Sequence, residues 1–119
     1  MTTQEIANRL VELCREGDFE TTQKELFADD AMSIEPYGTP EFEKETKGLQ
    51  AIKEKGEKWN NMVETMHEMN VSEPLIASNS FAVTMQMHVT MKGGQDINMT
   101  ELCVYTVKDG KITSEQFFM

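Results

Sequence analysis

The closing stretch VYTVKDGKITSEQFF, residues 104–118, holds two runs of alternating apolar and polar residues on either side of Lys108-Asp109-Gly110. Such alternation is typical of β-strands with one buried face, and a short Asp-Gly loop between two alternating runs predicts a hairpin. Turn-forming pairs, Ser78-Asn79 and Gly93-Gly94, separate earlier runs of the same kind. We therefore predict an antiparallel meander of four strands, at about 64–77, 80–92, 96–107 and 111–118.

The start of the chain shows the three- and four-residue spacing of apolar side chains that indicates amphipathic helices. One helix is predicted at 4–15, because Gly17 follows it as a C-terminal stop. Asp18 is a favourable N-cap for a second helix, which we expect to continue to about Phe27.

A short strand and a third helix are predicted next. The strand covers 31–35 and ends at Pro36, whose ring favours an extended conformation at the residue before it. Asp29 and Asp30 are expected to end the second helix and shape the turn before this strand. After a loop, the third helix carries one core-facing stripe, formed by Leu49, Ile52, Gly56, Trp59 and Val63.

The order of these elements, helices first and then one sheet, predicts an α+β fold. Three N-terminal helices packed in a strongly curved, mixed or antiparallel sheet would form a cone, and the space inside it is where chemistry is expected. A chain of 119 residues has the size of one domain, so we expect residues 1–119 to form a single domain.

Charge and composition argue against several classes of partner. The formal net charge is −10, and we find no basic patch, so no nucleic acid partner is expected. Five lysines alternate with glutamates and are interpreted as a solvated face: Lys44, Lys47, Lys53, Lys55 and Lys58. The chain lacks an apolar run of the ~18 residues that a membrane span needs, and its start lacks signal-peptide features. We therefore expect no membrane partner and a cytoplasmic location.

The two cysteines, Cys14 and Cys103, fall in a helical and a strand pattern. They lack CxxC or CxxH spacing, so the sequence signals neither a disulfide framework nor a zinc motif. Both are predicted to be reduced core residues.

Several short motifs carry a family resemblance: GDF at 17–19, FADDA at 27–31, SIEP at 33–36, GLQAI at 48–52, EMNVSEP at 68–74 and the closing run at 104–118. Through the order and residues of these motifs, the chain resembles the nuclear-transport-factor-2-like superfamily. Within it the chain resembles the SnoaL-like branch, which is related to steroid isomerases and polyketide cyclases. The resemblance covers nearly the whole chain. It implies a cone that takes a small, mostly apolar molecule without a cofactor.

The resemblance also implies a role for Glu35. Steroid isomerases carry their general base directly before a proline, at the distance after the ADDA motif that Glu35 holds after Ala31. The tyrosine and protonated aspartate that form their oxyanion hole correspond here to Leu10 and Cys103. Without those donors an enolate loses several kcal/mol of stabilisation, so steroid isomerase activity itself is not expected.

Which other side chains share the cone depends on strand register. With a three-residue loop in the last hairpin, Val107 pairs with Lys111 and Cys103 faces Glu115. A two-residue loop would turn Glu115 outward and bring Gln116 in. With the first register the inner face carries Met99, Glu101, Cys103, Tyr105, Thr113, Glu115 and Phe117, and the outer face carries Leu102, Val104, Thr106, Ile112, Gln116 and Phe118.

The two preceding strands are assigned faces in the same way. The strand at 80–92 turns one face inward, which leaves His88 exposed; that inner face is Phe81, Val83, Met85, Met87 and Val89. On the strand at 64–77, alignment on Val71 places His67 inside the cone, although a one-residue slip would send it out.

These assignments define a candidate site. The candidate catalytic residues are Glu35, His67 and Glu101, and the candidate ligand-binding residues are Trp59, Met85, Met87, Cys103, Tyr105, Glu115 and Phe117. Carboxylates crowded in a dry cone cannot all ionise at neutral pH, so one would hold a proton while another acts as base. An internal His67 with these acids could also bind a divalent metal, but no ligand spacing marks one, and none is expected.

The sequence leaves three functions open. The chain could be a cofactor-free isomerase, cyclase, dehydratase or hydrolase acting on a small, mostly apolar molecule. It could also be a binding module that holds such a molecule without turning it over. The third possibility, compatible with either of these, is a dimerisation scaffold that forms a homodimer. The outer sheet face is too apolar for water, since it carries Leu102, Val104, Ile112 and Phe118.

Overall fold

The computed structural model describes all 119 residues and contains the three predicted helices, α1 (Thr3–Arg15), α2 (Phe19–Leu26) and α3 (Leu49–Met62). Helix α1 begins with a reciprocal cap, in which the Thr2 hydroxyl accepts from the Glu5 amide and the Glu5 carboxylate accepts from the Thr2 amide. Asp18 caps α2 by accepting from the Thr21 amide, as its position predicts.

The strands form one seven-stranded sheet with the neighbour order β2-β1-β7-β6-β5-β3, in which β4 also pairs with β5. The strands are β1 (Phe27–Ile34), β2 (Glu45–Lys47), β3 (Val63–Val71), β4 (Leu75–Ala77), β5 (Ser80–Met91), β6 (Asp96–Lys108) and β7 (Lys111–Phe118). The predicted antiparallel meander is present as β3, β5, β6 and β7, and β1 adds to it parallel to β7. The fold class is the predicted α+β arrangement.

Two element boundaries differ from the prediction. Strand β1 starts directly at the end of α2, so Asp29 and Asp30 lie within the strand rather than in a turn before it. The register between β1 and β7 shifts between Phe27 and Met32, and this irregularity accommodates the two aspartates. The run predicted as one strand at 64–77 is divided into β3 and β4 by a break that contains Pro74.

The loop of the last hairpin is one residue shorter than predicted, but Glu115 faces inward as predicted. Lys108 pairs with Lys111, so the loop has two residues, and both have positive φ: Asp109 at 52° and Gly110 at 75°. One extra residue then enters β7 as a bulge, because Val107 pairs with Ile112 and Thr106 with Ser114. The bulge reverses the alternation, so Tyr105 pairs with Glu115 and both side chains are buried.

The same bulge makes the predicted facing of Ile112 wrong. Ile112 was expected on the outer sheet face, but it is fully buried in the core, on the side of Val107. The outer face therefore has fewer apolar residues than the sequence suggested.

The core lies between the sheet and α1, with contributions from α2 and α3, and includes Ile6, Leu10, Ile52, Phe81 and Val83. Both cysteines are buried and free, as predicted. A smaller apolar cluster of Met87, Val89 and Met91 is packed against half-buried Trp59 and Met99. None of the helices combines the length and hydropathy needed to cross a membrane.

Candidate functional site

A cavity of about 550 Å³ opens between the helices and the inner face of the sheet. Its apolar wall comes from α2, α3 and the three long strands, and includes Phe19, Trp59, Met85, Met87, Met99 and Phe117. A volume of this size matches a ligand of small-molecule dimensions.

Four polar side chains form a connected cluster at one wall of the cavity. The Lys55 Nζ donates to Ser33 Oγ at 2.6 Å and to Glu35 Oε1 at 3.1 Å. Ser33 Oγ in turn donates to Glu115 Oε1 at 2.8 Å. Lys55 therefore balances the charge of Glu35 directly and that of Glu115 through the serine hydroxyl.

The fold explains why these four meet. Ser33 pairs with Glu115 across the parallel β1–β7 contact, and Glu35 follows Ser33 by two residues, on the same side of the chain. The Glu35 amide donates to the Lys44 carbonyl at 2.7 Å, which holds the loop after β1 in place. Lys55 reaches the cluster from α3 and is only 16% exposed.

Glu101 provides a third carboxylate in the cavity. It lies on β6 opposite Met85, and its pKa is raised to about 7 by burial first and then by the negative charges of Glu35 and Glu115. The pKa of Glu115 is also raised to about 7, again mainly by burial, although the Ser33 hydrogen bond and Lys55 oppose the increase. Near neutral pH Glu101 and Glu115 are therefore each protonated in part.

Two aromatic side chains of the cavity wall lie close to this cluster. The Lys55 Nζ lies 5.8 Å from the centroid of the Phe117 ring, which stabilises the ammonium further. Tyr105 is buried and its ring is stacked on Phe81 with centroids 4.9 Å apart. Burial raises the pKa of the Tyr105 hydroxyl well above its ordinary value, so this group stays neutral.

Two predicted site residues do not reach the cavity. His67 lies exposed on the outer face, because β3 has an extra residue between the pairs Met66–Val89 and Glu68–His88, and the bulge reverses its facing. Cys103 faces inward but is 0% exposed and does not contribute to the cavity wall. Burial raises the pKa of its thiol far above the ordinary value, so Cys103 is inert core material.

Two cluster members were missed by the sequence analysis, Ser33 and Lys55. Lys55 was interpreted as part of a solvated face, and its inner position corrects that interpretation. The spacing of Lys55 could have predicted this position. Lys55 follows Ile52 by three residues and precedes Trp59 by four, so all three lie on one stripe of the helix. Nothing in the sequence pattern singled out Ser33.

The architecture and its cavity define the class of protein. Three helices against a curved, mostly antiparallel sheet form the α+β cone of the nuclear-transport-factor-2-like and cystatin-like folds, which solved structures share with this chain. The model of the SnoaL-like domain matches residues 1–119, and the chain belongs to this family. No curated protein shows a significant match to the chain.

Solved structures agree with this assignment. A candidate SnoaL-like polyketide cyclase from Mesorhizobium loti, also described as a carbohydrate phosphatase, is 34% identical, with 100% of both chains covered and a TM-score of 0.92. TerC, co-crystallised with polyporic acid, is 18% identical over 98% of this chain and 90% of its own, with a TM-score of 0.79. A candidate isomerase from Rhodopseudomonas palustris is 15% identical over 98% and 88%, with a TM-score of 0.71. The last two show the fold alone.

Proposed function

We propose that this SnoaL-like domain binds a small, mostly apolar molecule in its cone and moves a proton on it without a cofactor, as an isomerase or cyclase. The observation that carries the proposal is the charge arrangement in the cavity. The carboxylates of Glu35, Glu101 and Glu115 and the ammonium of Lys55 line the same cavity, and Glu101 and Glu115 have a pKa of about 7. General acid and base catalysis is most efficient when the pKa of the group is close to the working pH.

The roles follow from the partners of each group. Glu35 is the base: its carboxylate takes a proton from a carbon next to a carbonyl of the bound molecule, and the hydrogen bond from Lys55 holds the carboxylate in place. Glu101, protonated in part near neutral pH, donates to the carbonyl oxygen as negative charge develops there. Return of the proton from Glu35 to another carbon completes an isomerisation. In a cyclisation the carbanion attacks a second carbonyl of the same molecule, the π bond of that carbonyl breaks, and the resulting alkoxide takes the proton from Glu35.

Glu115 has a supporting role in this scheme. Its hydrogen bond from Ser33 fixes the serine hydroxyl, which in turn accepts from Lys55 and orients the ammonium toward Glu35. Glu115 is therefore a positioning residue. The ligand-binding surface is assigned to the cavity residues Trp59, Met85, Met87, Tyr105 and Phe117. The descriptions of the related structures as candidate cyclases and isomerases support this choice of chemistry.

Solvent deuterium exchange tests the base. Candidate apolar cyclic ketones, chosen to carry a hydrogen on the carbon next to the carbonyl and to exchange it slowly in buffer alone, are incubated with the protein in deuterated buffer, and loss of the carbon-bound hydrogen is followed by NMR. We expect the wild type to accelerate exchange, Glu35→Gln to abolish the acceleration, and Glu101→Gln to reduce it by about 100-fold or more. Glu64→Gln, an exposed acid on β3, is the matched control and should exchange at the wild-type rate.

Two results would contradict the assignment. Wild-type exchange that survives in Glu35→Gln would remove Glu35 from the role of base. Tight binding of several ligands without any exchange would favour the alternative, a binding module that performs no reaction.

A homodimer through the outer sheet face is the second part of the proposal. Leu102 is 41% exposed and Phe118 is 46% exposed, and the two residues pair across β6 and β7. Large apolar side chains exposed side by side are typical of an interface. Sedimentation at micromolar concentration should show a dimer. Leu102→Asp should convert the dimer to a monomer, whereas Gln4→Asp, at an exposed position of α1, should not. A wild-type monomer would contradict the interface.

A further inference from the structure

The two histidines of the chain, His67 and His88, lie side by side on the outer face of the sheet, away from the cavity. Their ring centroids are 4.7 Å apart. The carboxylate of Asp96 completes a group of three, in which one ligand atom from each residue lies within 4.8 Å of the others. No other set of three histidine, cysteine or carboxylate side chains in the chain comes together in this way.

The fold brings these residues together from three neighbouring strands. His88 and Asp96 come from the β5–β6 hairpin, and their side chains approach to 3.0 Å between His88 Nε2 and Asp96 Oδ2. His67 joins them only because the bulge in β3 turns it outward, and its Nε2 lies 2.6 Å from Thr90 Oγ1. Thr90 also donates to Asp96 Oδ1 at 3.0 Å, so it links the two halves of the cluster.

We propose that His67, His88 and Asp96 form a binding site for one divalent transition metal ion of the Zn²⁺ type. Two imidazoles and one carboxylate are the ligand set that such ions prefer, with water in the remaining positions. An ion at the usual bond lengths of about 2.0–2.2 Å holds its ligand atoms a little more than 3 Å apart. The His88–Asp96 pair already has this spacing.

A small rotation of His67 away from Thr90 completes the coordination. Its side chain is exposed, so the rotation is not opposed by packing, and the ion and its waters can enter from solvent. Thr90 is then free to hold Asp96 in place from behind. Because β3 is the edge strand of the sheet, a bound ion would also fasten this edge to β5 and β6.

Zinc titration of the full chain, without a polyhistidine tag and after treatment with a chelator, tests the site. Calorimetry should show one Zn²⁺ per chain with a micromolar or tighter Kd, and the Tm should rise with free zinc. His67→Ala and His88→Ala should each weaken binding by about 10-fold or more. His67 is exposed and His88 is half-buried, and circular dichroism checks that the variants are folded.

Glu64→Gln is the matched control, because it removes an exposed carboxylate from the same strand and should leave the Kd unchanged. Co²⁺ gives an independent readout through its visible absorption, which should be lost in the double variant His67→Ala/His88→Ala. Absence of saturable binding in the wild type would overturn the proposal. So would zinc binding that the double variant retains, since the ion would then be held elsewhere.

Discussion

At the scale of single residues, Lys55 decides the electrostatics of the cavity. Its ammonium is the cation that contacts the polar cluster, and it is bonded to Glu35 and, through Ser33, linked to Glu115. A carboxylate that is buried without a partner costs several kcal/mol, so the lysine permits an acidic cluster in a small core.

Replacing Lys55 by methionine tests this balance. We expect Lys55→Met to lower the free energy of unfolding by about 1–3 kcal/mol near pH 7.5. The loss should be smaller near pH 5, where Glu101 and Glu115 are protonated and need less compensation. Urea unfolding at the two pH values measures it, with exposed Lys108→Met as the control. An equal loss at both pH values would show that packing, not charge, is what the lysine provides.

The raised pKa values of Glu101 and Glu115 predict how stability depends on pH. Their folded pKa of about 7 lies above the ordinary value of 4.5, so between these values the folded chain binds more protons than the unfolded chain. Stability therefore falls as the pH rises through this window, by on the order of 1–3 kcal/mol per group. Glu115→Gln should flatten the fall, and Glu64→Gln should not.

Carboxylates whose pKa values are lowered on folding determine how stability changes at acidic pH. Hydrogen bonds lower the pKa values of Asp18 and Glu25, so their stabilisation is lost when the pH falls below about 4. Thermal unfolding across the pH range should thus show a maximum near pH 5. A Tm that rises steadily from about pH 5 to pH 7.5 would contradict the raised values.

At the scale of elements, most of the structure was predictable and two bulges were not. Helix spacing, caps and strand alternation predict three helices and a meander from local pattern alone. The facing of His67 and Ile112 depends on single extra residues in β3 and β7. The alternation of apolar and polar residues in the sequence does not reveal where such a bulge occurs. Glu115 was placed correctly because a shorter loop and a bulge cancel each other.

Two glycines, one in a turn and one in a helix, test how backbone conformation determines the effect of a glycine-to-alanine substitution on stability. Gly110 has φ at 75° in the last hairpin, so Gly110→Ala should destabilise by about 1 kcal/mol. Gly56 lies inside α3, where an added Cβ would meet Gln23 Nε2 at an ordinary 3.6 Å. Gly56→Ala should therefore stabilise by about 0.5–1 kcal/mol. Urea unfolding of the two variants would contradict this account if both shifts had the same sign.

At the scale of the whole molecule, the sheet separates two kinds of polar chemistry. The inner face holds a partly protonated acidic cluster in an apolar cavity, and the outer face holds the histidine pair. The cone itself followed from element order and motif resemblance, and the family match confirms it. The polar cluster could not be predicted from the sequence. Lys55 and Ser33 contact each other and Glu115 only because the fold places α3 and β1 against β7.

Carbon-13 NMR of the glutamate carboxyl groups measures directly whether the cavity acids titrate near neutral pH. Signals assigned by their loss in Glu101→Gln and Glu115→Gln should titrate with midpoints near the pKa of about 7. Midpoints at the ordinary value of 4.5 for both groups would mean that water reaches these carboxylates freely, and the proton-transfer proposal would then lack its physical basis.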